Sequence, residues 1–226
     1  MTAAVRQRPS IYVLAGVNGA GKSSVAGAMF RSMGADYFNP DEATRDLLLA
    51  NSGMTLATAN ELAWNIGKQR LERAIASAST FAFETTLGGN TMVRLLEQAM
   101  AKGMAVRVWY VGLENVALHR TRVASGGHDI PEDKIRARFD QSRLNLIRLL
   151  PGLAQLRLFD NSADGYRRKT FRPTPLLLMR MRDGAVEGPL DLNAIPHWAK
   201  PIVLAAPRRC WLSWGSATTI WVRTVP

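Results

Sequence analysis

Residues 16–23 read Gly16-Val17-Asn18-Gly19-Ala20-Gly21-Lys22-Ser23, a complete match to G-x-x-x-x-G-K-[ST]. The spacing has a mechanism. Glycines let the backbone curl so that several N–H groups converge on one anion. Lys22 then reaches the outer phosphates of a nucleotide, and the Ser23 hydroxyl is placed to ligate Mg²⁺. The flanks agree with this reading. Ile11-Tyr12-Val13-Leu14-Ala15 is a short apolar run expected to be a buried strand. Ser23 to Met33 carries Val25, Ala26, Met29, Phe30 and Met33 at helical spacing. Strand, glycine loop and helix N-terminus together make an anion site, to which the helix dipole adds.

Outward from that loop the chain alternates strand and helix. Asp36-Tyr37-Phe38 is a short expected strand, and Asn39-Pro40-Asp41 leads into a helix over about 41–51, with Asp41 placed at its start. Asn51-Ser52-Gly53 breaks it. A long alanine-rich helix follows over about 55–78, then a strand at Phe81 to Thr86 and a turn at Gly88-Gly89-Asn90. A helix over about 91–101 precedes Ala105 to Leu113, an almost unbroken apolar run typical of a strand covered on both faces. Helices are expected over about 114–124 and 132–150, the second with Ile135, Phe139, Leu146 and Leu150 along one side. Leu156 to Phe159 reads as a fifth strand. Leu176 to Met181 reads as an extra one before an Asp183-Gly184 turn, and 197–205 as a short last helix.

Such alternation implies an α/β fold: a mostly parallel sheet of five to six strands, with helices on both faces and a helical lid. Ligands in these sheets sit beyond the carboxyl ends of the strands. That rule directs attention to the glycine loop, to Asn39 through Asp41, to Glu84 through Thr86, and to the segment after Leu113.

At 226 residues one domain is expected over 1–205, its lid at about 120–138. The last residues, 206–226, form an atypical tail: from Pro207 on it holds Trp211, Trp214 and Trp221 and no acidic residue. No apolar run is long enough to cross a bilayer, and the single Cys210 excludes an internal disulfide framework, so a cytoplasmic protein is expected. The net charge of +11 is uneven. Residues 1–104 hold 10 Lys and Arg against 8 Asp and Glu, whereas residues 105–226 hold 19 against 10. A basic half suits phosphorylated small molecules or nucleic acid. No aromatic–basic recognition motif accompanies the charge, so a nucleic-acid partner is not expected.

The loop selects ATP or GTP. No guanine-recognition motif of the N-K-x-D kind is present, which favours ATP with Mg²⁺. No switch-loop signature of a GTPase is evident either, which points to a compact kinase. An ATP-dependent nucleic-acid-binding protein and an ATPase switch without an acceptor are the alternatives. Asn18, Gly19, Ala20, Gly21, Lys22, Ser23 and Ser24 make up the nucleotide-binding set. Asn39, Asp41, Glu84, Thr85 and Thr86 are the expected acceptor-side residues. Asp41 suits a base that takes a proton from the attacking hydroxyl, or a helix cap, or both. Glu84 suits either a water of the Mg²⁺ shell or a substrate hydroxyl. Thr85 and Thr86 suit either the substrate or the turn backbone. Arg122 and Arg138, with Arg136 third, are the lid arginines expected on the transferring phosphoryl group. His128 reads as a lid hinge or cap contact. His119 and His197 have no metal-ligand spacing.

Taken together, the glycine loop, Phe38-Asn39-Pro40-Asp41, Phe83-Glu84-Thr85-Thr86-Leu87, Arg122 through Pro131 and Ile135-Arg136-Ala137-Arg138-Phe139 resemble the zeta-toxin family of bacterial P-loop kinases. The likeness extends to Asp160-Asn161-Ser162 and to His197-Trp198-Ala199-Lys200-Pro201. The resemblance implies a nucleoside-kinase-like P-loop NTPase fold. It also implies use of ATP and Mg²⁺ to phosphorylate the 3′-hydroxyl of the sugar in UDP-N-acetylglucosamine. By motif it places Lys22 and Ser23 on ATP and Mg²⁺, makes Asp41 the base, and puts Glu84 on the substrate side. It further implies a small helical antitoxin as partner.

Overall fold

A computed structural model describes residues 8–17, 19–22, 36–114, 132–162, 175–187, 192–193 and 195–206, with the side chains of 132–136 excluded. The expected first helix over 23–33, the expected helix over 114–124, most of the expected lid and the tail from 207 lie outside these residues.

Strand β1 (Ser10–Ala15) lies inside the sheet, with a strand on each side, as its side chains require. Ile11, Val13, Leu14 and Ala15 are fully buried, so both faces of this strand must be covered. The chain then forms β2 (Asp36–Phe38), α1 (Pro40–Ala50), α2 (Leu56–Ala76), β3 (Phe81–Thr85), α3 (Asn90–Ala101) and β4 (Ala105–Gly112). It continues with α4 (Glu132–Leu149), β5 (Gln155–Asp160), β6 (Leu176–Arg182), β7 (Ala185–Glu187) and α5 (Lys200–Ala205). The sheet order is β2-β3-β1-β4-β5-β6-β7. Every pairing from β2 through β5 is parallel, and β6 and β7 add on antiparallel.

This order puts β1 at a switch point. The chain leaves β1 toward β2 on one side, returns through β3 against β1, and then places β4 on the other side. Crevices at such points are where open α/β sheets take their ligands, at the carboxyl ends of the strands. The glycine loop follows β1 into that crevice.

Among the described residues the sheet has seven strands, where five to six were expected. The additional strand is β7, three residues long and without an apolar period of its own. It exists because Asp183 and Gly184 both adopt positive φ, +46° and +77°. A two-residue loop of that conformation matches the twist of an antiparallel pair and returns the chain beside β6. The helix entry at 39–41 also differs in detail. Asn39, not Asp41, is the N-cap: its side-chain oxygen accepts from the Asp41 N–H at 2.9 Å and the Glu42 N–H at 3.4 Å. Pro40 takes the first helical position, where its missing N–H costs nothing. Asp41 is therefore inside the first turn with its carboxylate released from capping.

On α4 the expected stripe is present where it is described: Phe139 and Leu146 are buried, and Leu150 is buried in the 3-10 turn just past the end of the helix. Ser142 and Asn145 are buried on this helix as well.

Candidate functional site

Lys22 is buried although it carries a charge. Its ammonium donates to the Val17 carbonyl at 3.2 Å and lies 3.5 Å from Glu84 Oε1. A buried cation needs such partners, because unpaired burial would cost several kcal/mol, on the order of ~3–5. Glu84 is the fourth residue of β3, beside Leu14 of β1 in register. That pairing brings a residue 62 positions away in sequence to the loop lysine. The other oxygen of Glu84 accepts from the Tyr37 hydroxyl at 3.1 Å and from Asn39 Nδ2 at 3.4 Å. Asn39 thus caps α1 with its oxygen and orients Glu84 with its nitrogen.

The loop residues Gly19, Ala20 and Gly21 follow, with Gly19 at φ +72° and Gly21 at φ +77°. At Gly21 a Cβ would sit 2.6 Å from the Asn161 side-chain nitrogen. The backbone here is in a conformation that side chains resist, and the space is taken. This is the cradle that a phosphate chain requires, and the residues fit that group. Asn18, Ser23 and Ser24 lie outside the described residues. Among the described residues no group of three or more His, Cys, Asp or Glu could hold a metal ion.

A cleft of about 240 Å³ opens beside Lys22 and Glu84. Its polar lining includes Asp41, Thr85 and Thr86, and its apolar lining includes Phe38, Trp64 and Phe83. The chain brings Asp41, Lys22 and Glu84 to one cavity from three separate elements. Thr85 Oγ1 accepts from the Leu87 N–H at 3.1 Å and Thr86 Oγ1 from the Gly88 N–H at 3.4 Å. The turn backbone therefore uses these hydroxyls as acceptors while both threonines still line the cleft; a hydroxyl can also donate.

That turn is held from behind by α4. Ser142 Oγ donates to the Thr86 carbonyl at 2.6 Å and shares a 2.9 Å hydrogen bond with the Tyr110 hydroxyl. Asn145 Nδ2 donates to the Leu87 carbonyl at 2.8 Å, and Gln141 Nε2 donates to Asn145 Oδ1 at 3.0 Å. Leu87, fully buried, sits at φ +56°. A left-handed leucine costs roughly 1–2 kcal/mol, and these bonds hold it there. Burial drives the Tyr110 hydroxyl up to about 12, opposed by its bond to Ser142 and by the Arg143 charge.

Arg138 is exposed on α4, outside the cleft lining. Its Cβ and Cγ lie 3.6 Å from where a Gly88 side chain would begin, so it flanks the turn that follows β3. Arg122 and His128 lie outside the described residues, as does the Arg136 side chain. Sequence reasoning missed Tyr37, Ser142 and Asn145. For the last two a signal was present: small polar residues on the core-facing side of an otherwise apolar helical stripe.

A glycine loop after the central strand of a parallel sheet, with a buried lysine at its end, defines the P-loop NTPase fold. Within that class the family is shown directly. The Zeta toxin family model matches residues 2–146, and this chain belongs to the zeta-toxin family. An uncharacterized protein of Haemophilus influenzae is 34% identical over 70 residues, which span 29% of this chain and 50% of that protein. The crystal structure of AvrRxo1-ORF1:-ORF2 with ATP has the same fold, with a TM-score of 0.60 at 15% identity, covering 92% of this chain and 66% of that one. The native complex gives 0.61 at 16% identity, covering 91% and 66%. This chain therefore spans about half to two thirds of the length of these relatives. Among the described residues no helix is long and apolar enough to cross a membrane.

Proposed function

We propose that the chain is an ATP-dependent kinase that transfers the γ-phosphate to a hydroxyl of a small acceptor, with UDP-N-acetylglucosamine as the acceptor. The observation that carries this reading is the shared cleft: Asp41, Lys22 and Glu84 line one cavity at the carboxyl end of the central strands. ATP binds the glycine loop, with Lys22 on its outer phosphates. The acceptor occupies the cleft between the first turn of α1, α2 and the β3–α3 turn. Asp41 takes the proton of the acceptor hydroxyl. The freed oxygen forms a bond to the γ-phosphorus, and the bond from that phosphorus to the bridging oxygen breaks, leaving the electron pair on ADP. Glu84, Thr85 and Thr86 orient the acceptor. Arg138 and Arg122 supply positive charge from the lid side, where a guanidinium fork suits a phosphoryl group. Mg²⁺ neutralises phosphate charge when bound, and Ser23 is the residue proposed to hold it.

The family supports a toxin role with an antitoxin partner, and the AvrRxo1 relative was itself solved as an ORF1:ORF2 complex. A nucleotide-sugar substrate and ATP place the work in the cytoplasm. The test is purified protein with labelled ATP and Mg²⁺, and a panel of UDP-sugars, nucleosides and RNA, scored by mass spectrometry. Asp41→Asn is expected to lower transfer by roughly 10²- to 10⁴-fold while ATP affinity stays within about twofold. Full turnover in that variant refutes the base assignment. Transfer to a nucleoside but to no UDP-sugar refutes the acceptor.

A further inference from the structure

The segment Asp160-Asn161-Ser162 lies beyond the stretch matched by the family model and has no part in the chemistry above. Its geometry ties it to the phosphate loop. Asn161 Nδ2 donates to the Ala20 carbonyl at 2.8 Å. A trans peptide holds its C=O and the next N–H on opposite sides. Anchoring the Ala20 oxygen on the Asn161 side therefore aims the Gly21 N–H the other way, away from Asn161. The absence of a side chain at Gly21 makes room for this contact, since a Cβ would lie 2.6 Å from the same nitrogen.

The latch is itself fixed. The Asn161 N–H donates to the Gly112 carbonyl at 3.0 Å, which continues the β4–β5 pairing by one residue. Asp160 Oδ1 accepts from the Trp198 indole N–H at 3.0 Å and from the Ser162 hydroxyl at 2.5 Å. The Trp198 ring lies flush on Gly112, where any Cβ would come within 2.2 Å of it. Arg143 Nη1 donates to the Trp198 carbonyl at 3.4 Å, so the residues before α5 are tied to α4.

We infer that Asn161, braced by Trp198 through Asp160, is a positioning residue that sets the phosphate loop for a polyphosphate chain. The inference rests on the nucleotide-binding part of the proposed function. It assigns part of the nucleotide site to residues outside the 2–146 match.

The test is calorimetric titration of the full chain with Mg²⁺·ATP and, separately, with inorganic tripolyphosphate, which carries the phosphate chain alone. Asn161→Ala is expected to weaken both by about tenfold, the loss of one part-buried hydrogen bond that orients a donor. Its ligand-free melting midpoint is expected to stay within about 3 °C of the native chain, since one partly exposed bond is removed. A purely structural role would lower the midpoint and leave both affinities unchanged, which overturns the inference. Loss of ATP affinity with tripolyphosphate binding intact places Asn161 on the base and also overturns it. If Asn161→Ala does not fold, Trp198→Phe decides. That variant keeps a ring over Gly112 but drops the bond to Asp160, and about threefold weaker binding of both probes is expected. Unchanged binding overturns the inference. A native chain that binds neither probe overturns the kinase reading with it. A native chain that binds both, with the variants unchanged, overturns this inference alone.

Discussion

Replacing Glu84 by Gln tests how the buried Lys22 charge is balanced. Lys22 Nζ and Glu84 Oε1 are 3.5 Å apart, with side chains 7% and 5% exposed. Coulomb attraction at that distance is about 5 kcal/mol at an effective dielectric constant of 20 and about 1.2 kcal/mol at that of water. The glutamine oxygen recovers part of it, but it serves either Lys22 or the Tyr37 and Asn39 donors, never both pairs at once. A working figure is about 2 kcal/mol, which corresponds to roughly thirtyfold in affinity. In Glu84→Gln the lysine charge has lost its resident partner, and a triphosphate supplies the replacement. ATP without metal is therefore expected to bind about thirtyfold more tightly than to the native chain, while the ligand-free protein melts lower. Titration of both proteins with ATP in EDTA reads this directly. Equal or weaker binding by the variant refutes the idea that Glu84 and phosphate compete for Lys22. Repeating the titration with Mg²⁺ separates the two roles open to Glu84. A gain that persists with metal puts the carboxylate on the acceptor, and a gain that vanishes puts it on the metal's water shell.

Three further outcomes are expected. Asn145→Ala removes the donor that holds Leu87 in its left-handed turn; a stability loss of about 1–3 kcal/mol by urea unfolding is expected, with a raised acceptor KM and an unchanged ATP KM. Tyr110, whose hydroxyl is held near 12 against an ordinary 10.0, contributes stability in its neutral form. That contribution is complete below pH 10 and disappears as the pH rises toward 12. It amounts to about 3 kcal/mol for two pKa units. Tyr110→Phe is expected to flatten this alkaline limb in pH-dependent unfolding. Lys22→Ala is expected to abolish both ATP binding and transfer, measured by titration and by the labelled-ATP assay.

The sheet was legible wherever a strand is buried on both faces. β1 and β4 are nearly continuous apolar runs, and β2 was read with its observed limits because Pro40 follows Asn39. The seventh strand was not legible, because Ala185-Val186-Glu187 becomes a strand only through the Asp183-Gly184 turn and the neighbouring β6. In the site, Lys22 stood out through the glycine-loop motif, and Asp41 and Glu84 because each follows or ends a strand. Tyr37, Ser142 and Asn145 did not, and Asn161 entered only through the family resemblance of Asp160-Asn161-Ser162. They reach the site through contacts far apart in sequence, 47 positions for Tyr37 and Glu84, 56 for Ser142 and Thr86, and 141 for Asn161 and Ala20. No local pattern encodes such pairings. Asn39 lies between the two cases: it was expected on the acceptor side, but the helix start was assigned to Asp41, and neither the Asn39 cap nor its bond to Glu84 was foreseen.

The antiparallel hairpin of β6 and β7 stands at the margin of the sheet opposite β2. The cleft lies toward one margin, and the other ends in three residues with arginine–glutamate pairs at its rim. That far border is the natural place to attach a probe that leaves the cleft clear.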